Sequence, residues 1–233
     1  MFDRLRAIAA AVGHHAETGD RNALLTGDLA HRLGDGGGGL RVAFEDVAHV
    51  LFPVSYTHLR VLEEGFGGRT IAFDDPVEGG YKSAMDYLPP CLMSHDPLDL
   101  VIVMLGTNDT KQRFAMSAPA IAQALAHLLR LVHLYAADGR GEPSRVLAVA
   151  PPPVRPEVLK TRMAGTFDAR SIEVSEHLAE EYLRIARLMR CEYINAADFC
   201  RASDEDGVHL TAAGHRALAR GIADKVREIF KEE

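Results

Sequence analysis

The chain has 233 residues, 47% of them hydrophobic and 25% charged, with a formal net charge of −7. That is enough for one sizeable α/β domain, and the acidity argues against a nucleic-acid or anionic-membrane surface, which needs a basic patch. No apolar run reaches transmembrane length, and the three cysteines, Cys91, Cys191 and Cys200, form no CxxC pair, so a reduced, cytoplasmic setting is expected.

From the N-terminus, Phe2, Leu5, Ile8 and Val12 recur at helical spacing in an Ala-rich stretch, which predicts a helix over residues 2–12. Asp3, Arg4 and Arg6 and the lack of a cleavage site argue against a signal peptide. His14 to Arg21 reads as a polar loop, since His14-His15 has no third metal ligand at a helical or hairpin spacing. Leu24 to Leu33 is compatible with a helix, and Gly36 to Gly39 reads as a flexible linker. No Gly-Lys-Ser/Thr follows those glycines, so they are not a phosphate cradle. Leu40 to Phe52 mixes strand and helix signals. Pro53 to Leu59 (PVSYTHL) looks like the translation of a transposon end used as a sequencing adaptor, against an ordinary edge strand. Residues 1–59 are therefore set apart as an atypical segment, chimeric or poorly ordered, ahead of a domain over 60–233.

Beyond Arg60 the pattern is regular. Strands are expected at Arg60–Glu64, Leu98–Leu105, Arg145–Ala150 and Cys191–Asn195. Helices are expected around Met85–Ser94, over Ser117–Ala137 with Ser117 as N-cap, over Arg170–Met189, and over Thr211 to about Phe230. Residues 151–169 form a loop expected near the mouth of a site. Buried strands alternating with amphipathic helices imply right-handed crossovers and a parallel sheet with helices on both faces.

Three blocks carry chemistry. Gly106-Thr107-Asn108-Asp109 follows the apolar strand Leu98–Leu105, at the end where parallel sheets bind ligands. Asp206-Gly207-Val208-His209 precedes the last helix, and Glu63-Glu64-Gly65-Phe66-Gly67-Gly68-Arg69-Thr70 follows the first regular strand. Together they resemble the blocks of the SGNH (GDSL-type) hydrolases, arylesterase/acyltransferase branch, to which Leu88-Pro89-Pro90-Cys91-Leu92 and Ala150-Pro151-Pro152-Pro153 are also similar. The resemblance covers Arg60 to about Phe230. It implies a flavodoxin-like three-layer α/β/α sandwich with a parallel sheet, acting on small carboxylic esters through an acyl-serine intermediate, with no metal and no cofactor. It implies His209 as base, Asp206 as its orienting carboxylate, and the Asn108 side chain and Gly68 N–H as oxyanion donors. Partners would be a small-molecule ester and, in an oligomer, further copies of the chain, with no nucleic acid and no membrane.

The departure is the nucleophile. The family's Gly-Asp-Ser-x-x-x-Gly stretch is absent. If His14 to Arg21 is the loop that follows it, the serine position falls near Ala9. Gly27-Asp28 is followed by Leu29, and Ser55, the one serine before Arg60, has no Gly-Asp ahead of it. Cys91 lies in a block that is structural in the family. The nucleophile stays unknown, and the first strand is expected to be missing or replaced by loosely packed residues. The implied activity is then impaired, or the chain is an inactive SGNH-fold protein that binds acyl or carbohydrate ligands. A nucleotide-binding flavodoxin-like protein is disfavoured by the lack of a phosphate loop.

Overall fold

A central parallel sheet organises the computed structural model, which describes residues 5–13 and 59–231, with side chains from Val61 onward. Its strands are β1 (Leu5–Gly13), β2 (Leu59–Glu63), β3 (Phe66–Gly67), β4 (Leu100–Met104), β5 (Arg145–Ala150) and β6 (Glu192–Asn195). They run in the order β2-β1-β4-β5-β6, with the short β3 on the end of β1. Every pairing is parallel. The four strands expected beyond Arg60 are all present, within two residues of their expected ends.

The helices are α1 (Ala84–His95), α2 (Ala118–Tyr135), α3 (Ala169–Glu176), α4 (Leu178–Met189) and α5 (Ala212–Lys231). Strand side chains alternate between faces, and β4 shows the consequence. Val101 and Val103 join one core with Leu88, Leu92, Leu125, Leu129 and Ile185. Leu100, Ile102 and Met104 join a second with Leu218, Ile222 and Val226 of α5. The chain is thus a three-layer α/β/α sandwich, with α1, α2 and α4 on one face and α5 on the other. Ser117 Oγ accepts from Ala120 N at 3.4 Å as the α2 N-cap.

Three expectations are corrected. Residues 5–12 do not form a helix, and the first strand is not missing: Leu5–Gly13 is β1, paired on one side with β2 and on the other with β4. Alanine's helix preference is a few tenths of a kcal/mol per residue over its neighbours here, and two flanking strands outweigh it. Ile8-Ala9-Ala10-Ala11-Val12 also has the unbroken apolar character of a strand covered on both faces. The sheet therefore draws a central strand from the segment set apart at 1–59. The single helix expected over Arg170–Met189 is two, α3 and α4, divided at His177. Asp168 and Ser171 close a reciprocal capping box at the start of α3. The polar loop at 14–21, the segments 24–33, 36–39 and 40–52, and Pro53–His58 lie outside the described residues.

One buried carboxylate ties β4 to the segment after β3. Asp109, fully buried, accepts from Ile71 N through both oxygens, at 2.9 and 3.0 Å. Burial pushes its pKa up to about 7, only partly offset by backbone N–H donors including those of Ile71 and Ala72. A carboxyl whose pKa is raised on folding binds its proton more tightly in the native state. Its contribution is fully present below the unfolded value of 3.8 and is lost as pH rises through about 7. The expected cost is about 1.4 kcal/mol for each pH unit of that window. Asp109→Asn keeps an acceptor for Ile71 and cannot titrate. Urea unfolding of both proteins from pH 4 to 8 should show wild type losing stability relative to the variant as pH rises. A constant difference across that range would refute the assignment.

Candidate active site

Gly68 opens the first wall. It follows β3, whose Phe66 and Gly67 pair with Val12 and Gly13 at the end of β1. Its φ of +76° is left-handed, and a Cβ would collide with the Glu78 carboxylate, so only glycine fits. Arg69 N donates to Phe66 O at 3.1 Å and closes the turn. Lys82 Nζ donates to Gly67 O at 2.7 Å.

Asn108 supplies the second. The chain leaves β4 through Leu105 and Gly106, where φ is +118° and a Cβ would run into the Tyr182 hydroxyl. That hydroxyl donates to Leu105 O at 2.8 Å. Asn108 begins a single 3₁₀ turn, Asn108–Thr110, and is 1% exposed. Its Nδ2 donates to Arg69 O at 3.1 Å. The amide is therefore held by the residue next to Gly68, and these two sequence-predicted positions are brought together.

The third part is the Asp206–His209 turn. Asp206 Oδ2 is hydrogen-bonded to His209 Nδ1. Its Oδ1 accepts from Val208 N at 2.9 Å, His209 N at 2.8 Å and Ser203 Oγ at 3.1 Å. Burial alone would raise this carboxyl's pKa, but the His209 ring and these N–H groups more than offset it and hold it well below the usual range. The carboxylate therefore stays ionised and accepts from Nδ1–H, which makes Nε2 the acceptor nitrogen of the neutral ring. Gly207 (φ +74°) lies flat on Arg155 and Val158, where a Cβ would meet backbone, and its carbonyl accepts from Arg155 N at 2.8 Å.

The loops carrying these parts are joined at one end of the sheet. Arg155 belongs to the loop after β5, as expected for residues 151–169, whose Val154, Val158 and Phe167 pack with Val208. That loop meets the one after β4 through Gln112 N to Thr166 O at 2.9 Å. Ser171 Oγ to Thr110 O at 2.7 Å adds a second link. Gly68, Asn108 and the Asp206–His209 pair thus all lie on segments beyond strand C-terminal ends.

Ala9, the position aligned with the missing serine, sits in the middle of β1, opposite Glu63 and Ile102. The strand runs four residues further, to Gly13, so Ala9 does not mark its exit. At that exit Gly13 is followed directly by His14-His15, and the next glycine is Gly19. Leu29 and Ser55 lie outside the described residues.

Sequence reasoning missed three features. Lys111, 1% exposed, pairs with Asp75 at 3.2 Å and Glu78 at 2.7 Å, and Arg113 pairs with Asp75 at 3.1 Å. This network fixes the Glu78 carboxylate against Gly68. A lysine two residues past Asp109 reads as an exposed charge unless its acidic partners are known. His215, one turn into α5, has a buried Nδ1 without a hydrogen-bond partner. Burial, aided by the charge of His209, pushes its pKa down to about 4, so it is neutral beside the pair. Glu64 comes together with Cys91 and His95, which are one helical turn apart, beside α1.

The sequence profile of the GDSL-like lipase/acylhydrolase family matches residues 17–217. No curated protein sequence matches. Among solved structures, a carbohydrate acetylesterase from Sinorhizobium meliloti superposes with a TM-score of 0.76 at 28% identity, over 97% of this chain and all of that one. The inhibitor-bound aryl esterase of M. smegmatis gives a TM-score of 0.78 at 28% identity over the same shares. An acetyl-xylooligosaccharide esterase from Geobacillus shares the fold at 14% identity, with a TM-score of 0.57. Among the described residues no helix is long and apolar enough to cross a membrane. The chain belongs to the GDSL-like lipase/acylhydrolase family.

Proposed function

We propose that this chain carries the acyl-transfer site of a small-ester hydrolase of the arylesterase/acetylesterase kind, without its serine. The observation that supports the reading best is the Asp206–His209 pair, with the carboxylate held ionised by three further donors. In this reading His209 Nε2 takes a proton from the attacking hydroxyl and returns it to the leaving alcohol. Asp206 fixes the tautomer and stabilises the imidazolium. The Gly68 N–H and the second Asn108 N–H receive the developing oxyanion, and the Asn108–Arg69 bond keeps that amide from turning away. The acids and alcohols named for the relatives, aryl and carbohydrate acetyl esters, are the substrates to try first.

With His15 where the serine should stand, the covalent route is lost. What remains is about 10³–10⁴ over water from donors and binding. The missing serine equally favours a second reading, an SGNH-fold protein that binds acyl or carbohydrate ligands without turnover. A foreign origin of Pro53–Leu59 would explain why the first block departs while the later ones match, and resequencing the genomic reading frame upstream of Arg60 tests it.

The chain as it stands should turn over p-nitrophenyl acetate weakly, and a fluorophosphonate should label none of its serines. Robust turnover with a labelled serine, Ser55 or another, would overturn this reading. The double variant His14→Asp/His15→Ser should gain fluorophosphonate labelling at position 15. Since a lost nucleophile costs up to about 10⁶ in kcat, a gain of about 10²-fold is a conservative expectation.

The pair is tested in both backgrounds. His209→Ala should barely change the residual turnover of the parent chain, because no nucleophile draws on the base. In the double variant it should remove nearly all of the gain. Asn108→Ala should cost the double variant about 10²–10³ in kcat. Equal loss on His209→Ala in both backgrounds would mean that His209 acts on water or on an unassigned nucleophile.

A further inference from the structure

Helix α1 presents Tyr87, Cys91 and His95 at four-residue intervals, a spacing that puts all three on one face. That face meets Glu64, the residue after β2. His95 Nε2 lies 3.0 Å from Glu64 Oε1, and the Tyr87 hydroxyl donates to Glu64 Oε2. One ligand atom each from Glu64, Cys91 and His95 lies within 4.8 Å of the other two. Cys91 is 6% exposed, while the Glu64 and His95 side chains keep 19% and 30% of their surface. The cluster is therefore closed on the thiol side and open on the other, so an ion can enter.

We propose that Glu64, Cys91 and His95 form a binding site for a zinc-class divalent cation, separate from the Asp206–His209 pair. The donor set decides the class: one thiolate, one imidazole and one carboxylate suit a borderline-soft ion, whereas magnesium and calcium require oxygen. Cys91-x-x-x-His95 gives two ligands from one helix face and Glu64 closes the site from the sheet edge. Tyr87 Oη or a water completes four-coordination. On binding, the Cys91 S–H bond breaks, its proton leaves to solvent, and the sulfur lone pair bonds to the metal; the Glu64–His95 contact opens to admit the ion between them.

A buried cation lies beside the cluster. Arg69 stacks on the Tyr87 ring at 4.0 Å and is 4% exposed, and its Nε and Nη1 are buried without a hydrogen-bond partner. Its charge acts on both Cys91 and Glu64. The bound ion would fasten α1 to the end of β2, four residues before Gly68.

The test uses the full chain after chelator treatment. Co²⁺ titration should raise a near-ultraviolet thiolate-to-metal band, Zn²⁺ should displace it, and either ion should raise the melting temperature. Cys91→Ser should abolish the band and weaken binding about tenfold or more, and His95→Ala should weaken it similarly. Glu64→Gln serves if His95→Ala fails to fold. The band should survive Cys191→Ser/Cys200→Ser and His14→Ala/His15→Ala, which test the other thiols and the adjacent histidines. No band in wild type, a band that persists in Cys91→Ser, or one that vanishes in His14→Ala/His15→Ala would overturn the assignment. Since neither the band nor the melting shift reads ester turnover, the outcome is independent of the acyl-transfer reading.

Discussion

Two consecutive side chains after β4 tie the segment after Gly68 to the C-terminal end of the sheet. Asn108 binds the carbonyl of Arg69, and Asp109 binds the amide of Ile71. The segment between them and Gly68 is too short to find its own place by packing, and its glycine needs a left-handed backbone. Fixing it by two side chains from the neighbouring strand supplies what a loop lacks. Burial penalises the ionised form of Asp109, and the backbone donors that converge on it only partly offset that cost. The position of the Gly68 segment thus rests on buried polar contacts.

The opposite side of the same segment is held by charge. Lys111, Asp75, Glu78 and Arg113 form a buried to half-buried ion network. Burying such pairs contributes little net stability compared with apolar packing, but removing one partner strands the other. Its consequence is geometric: Glu78 is fixed where only a glycine can pass. The Asp206–His209 turn repeats the principle, with Gly207 pressed on the backbone of the β5 loop. Both walls are built on glycines whose missing side chains are read by a neighbour.

Much of this was legible in the residues. The apolar runs within Leu98–Leu105 and Arg145–Ala150 pointed to strands because they are short and rich in valine. Asn108, Gly68, Asp206 and His209 stood out because each sits in a short block with its neighbours. What was not legible has a common cause. β1 reads as a helix because alanine carries a local preference, and its partners β2 and β4 lie some fifty and ninety residues away. Lys111 and Asp109 look like surface charges until Asp75, Glu78 and Ile71 fold over them. His177 breaks a helix whose hydrophobic spacing runs on without a gap. Long-range pairing, which no window along the chain contains, decides the first two cases.

Helix α1 contains Pro89 and Pro90 side by side in its middle. Neither can donate to the carbonyl one turn earlier, so two successive rungs of the helix ladder are absent. The segment is helical because Leu88 and Leu92 are clamped in the core and not because its own backbone insists on it. Its amides should then exchange through local opening well below the free energy of global unfolding. Such a helix behaves less as a strut than as a hinged panel, shut by what it touches. Evolution can retune the β2 edge by changing the contacts that latch this panel, leaving the sheet itself unaltered.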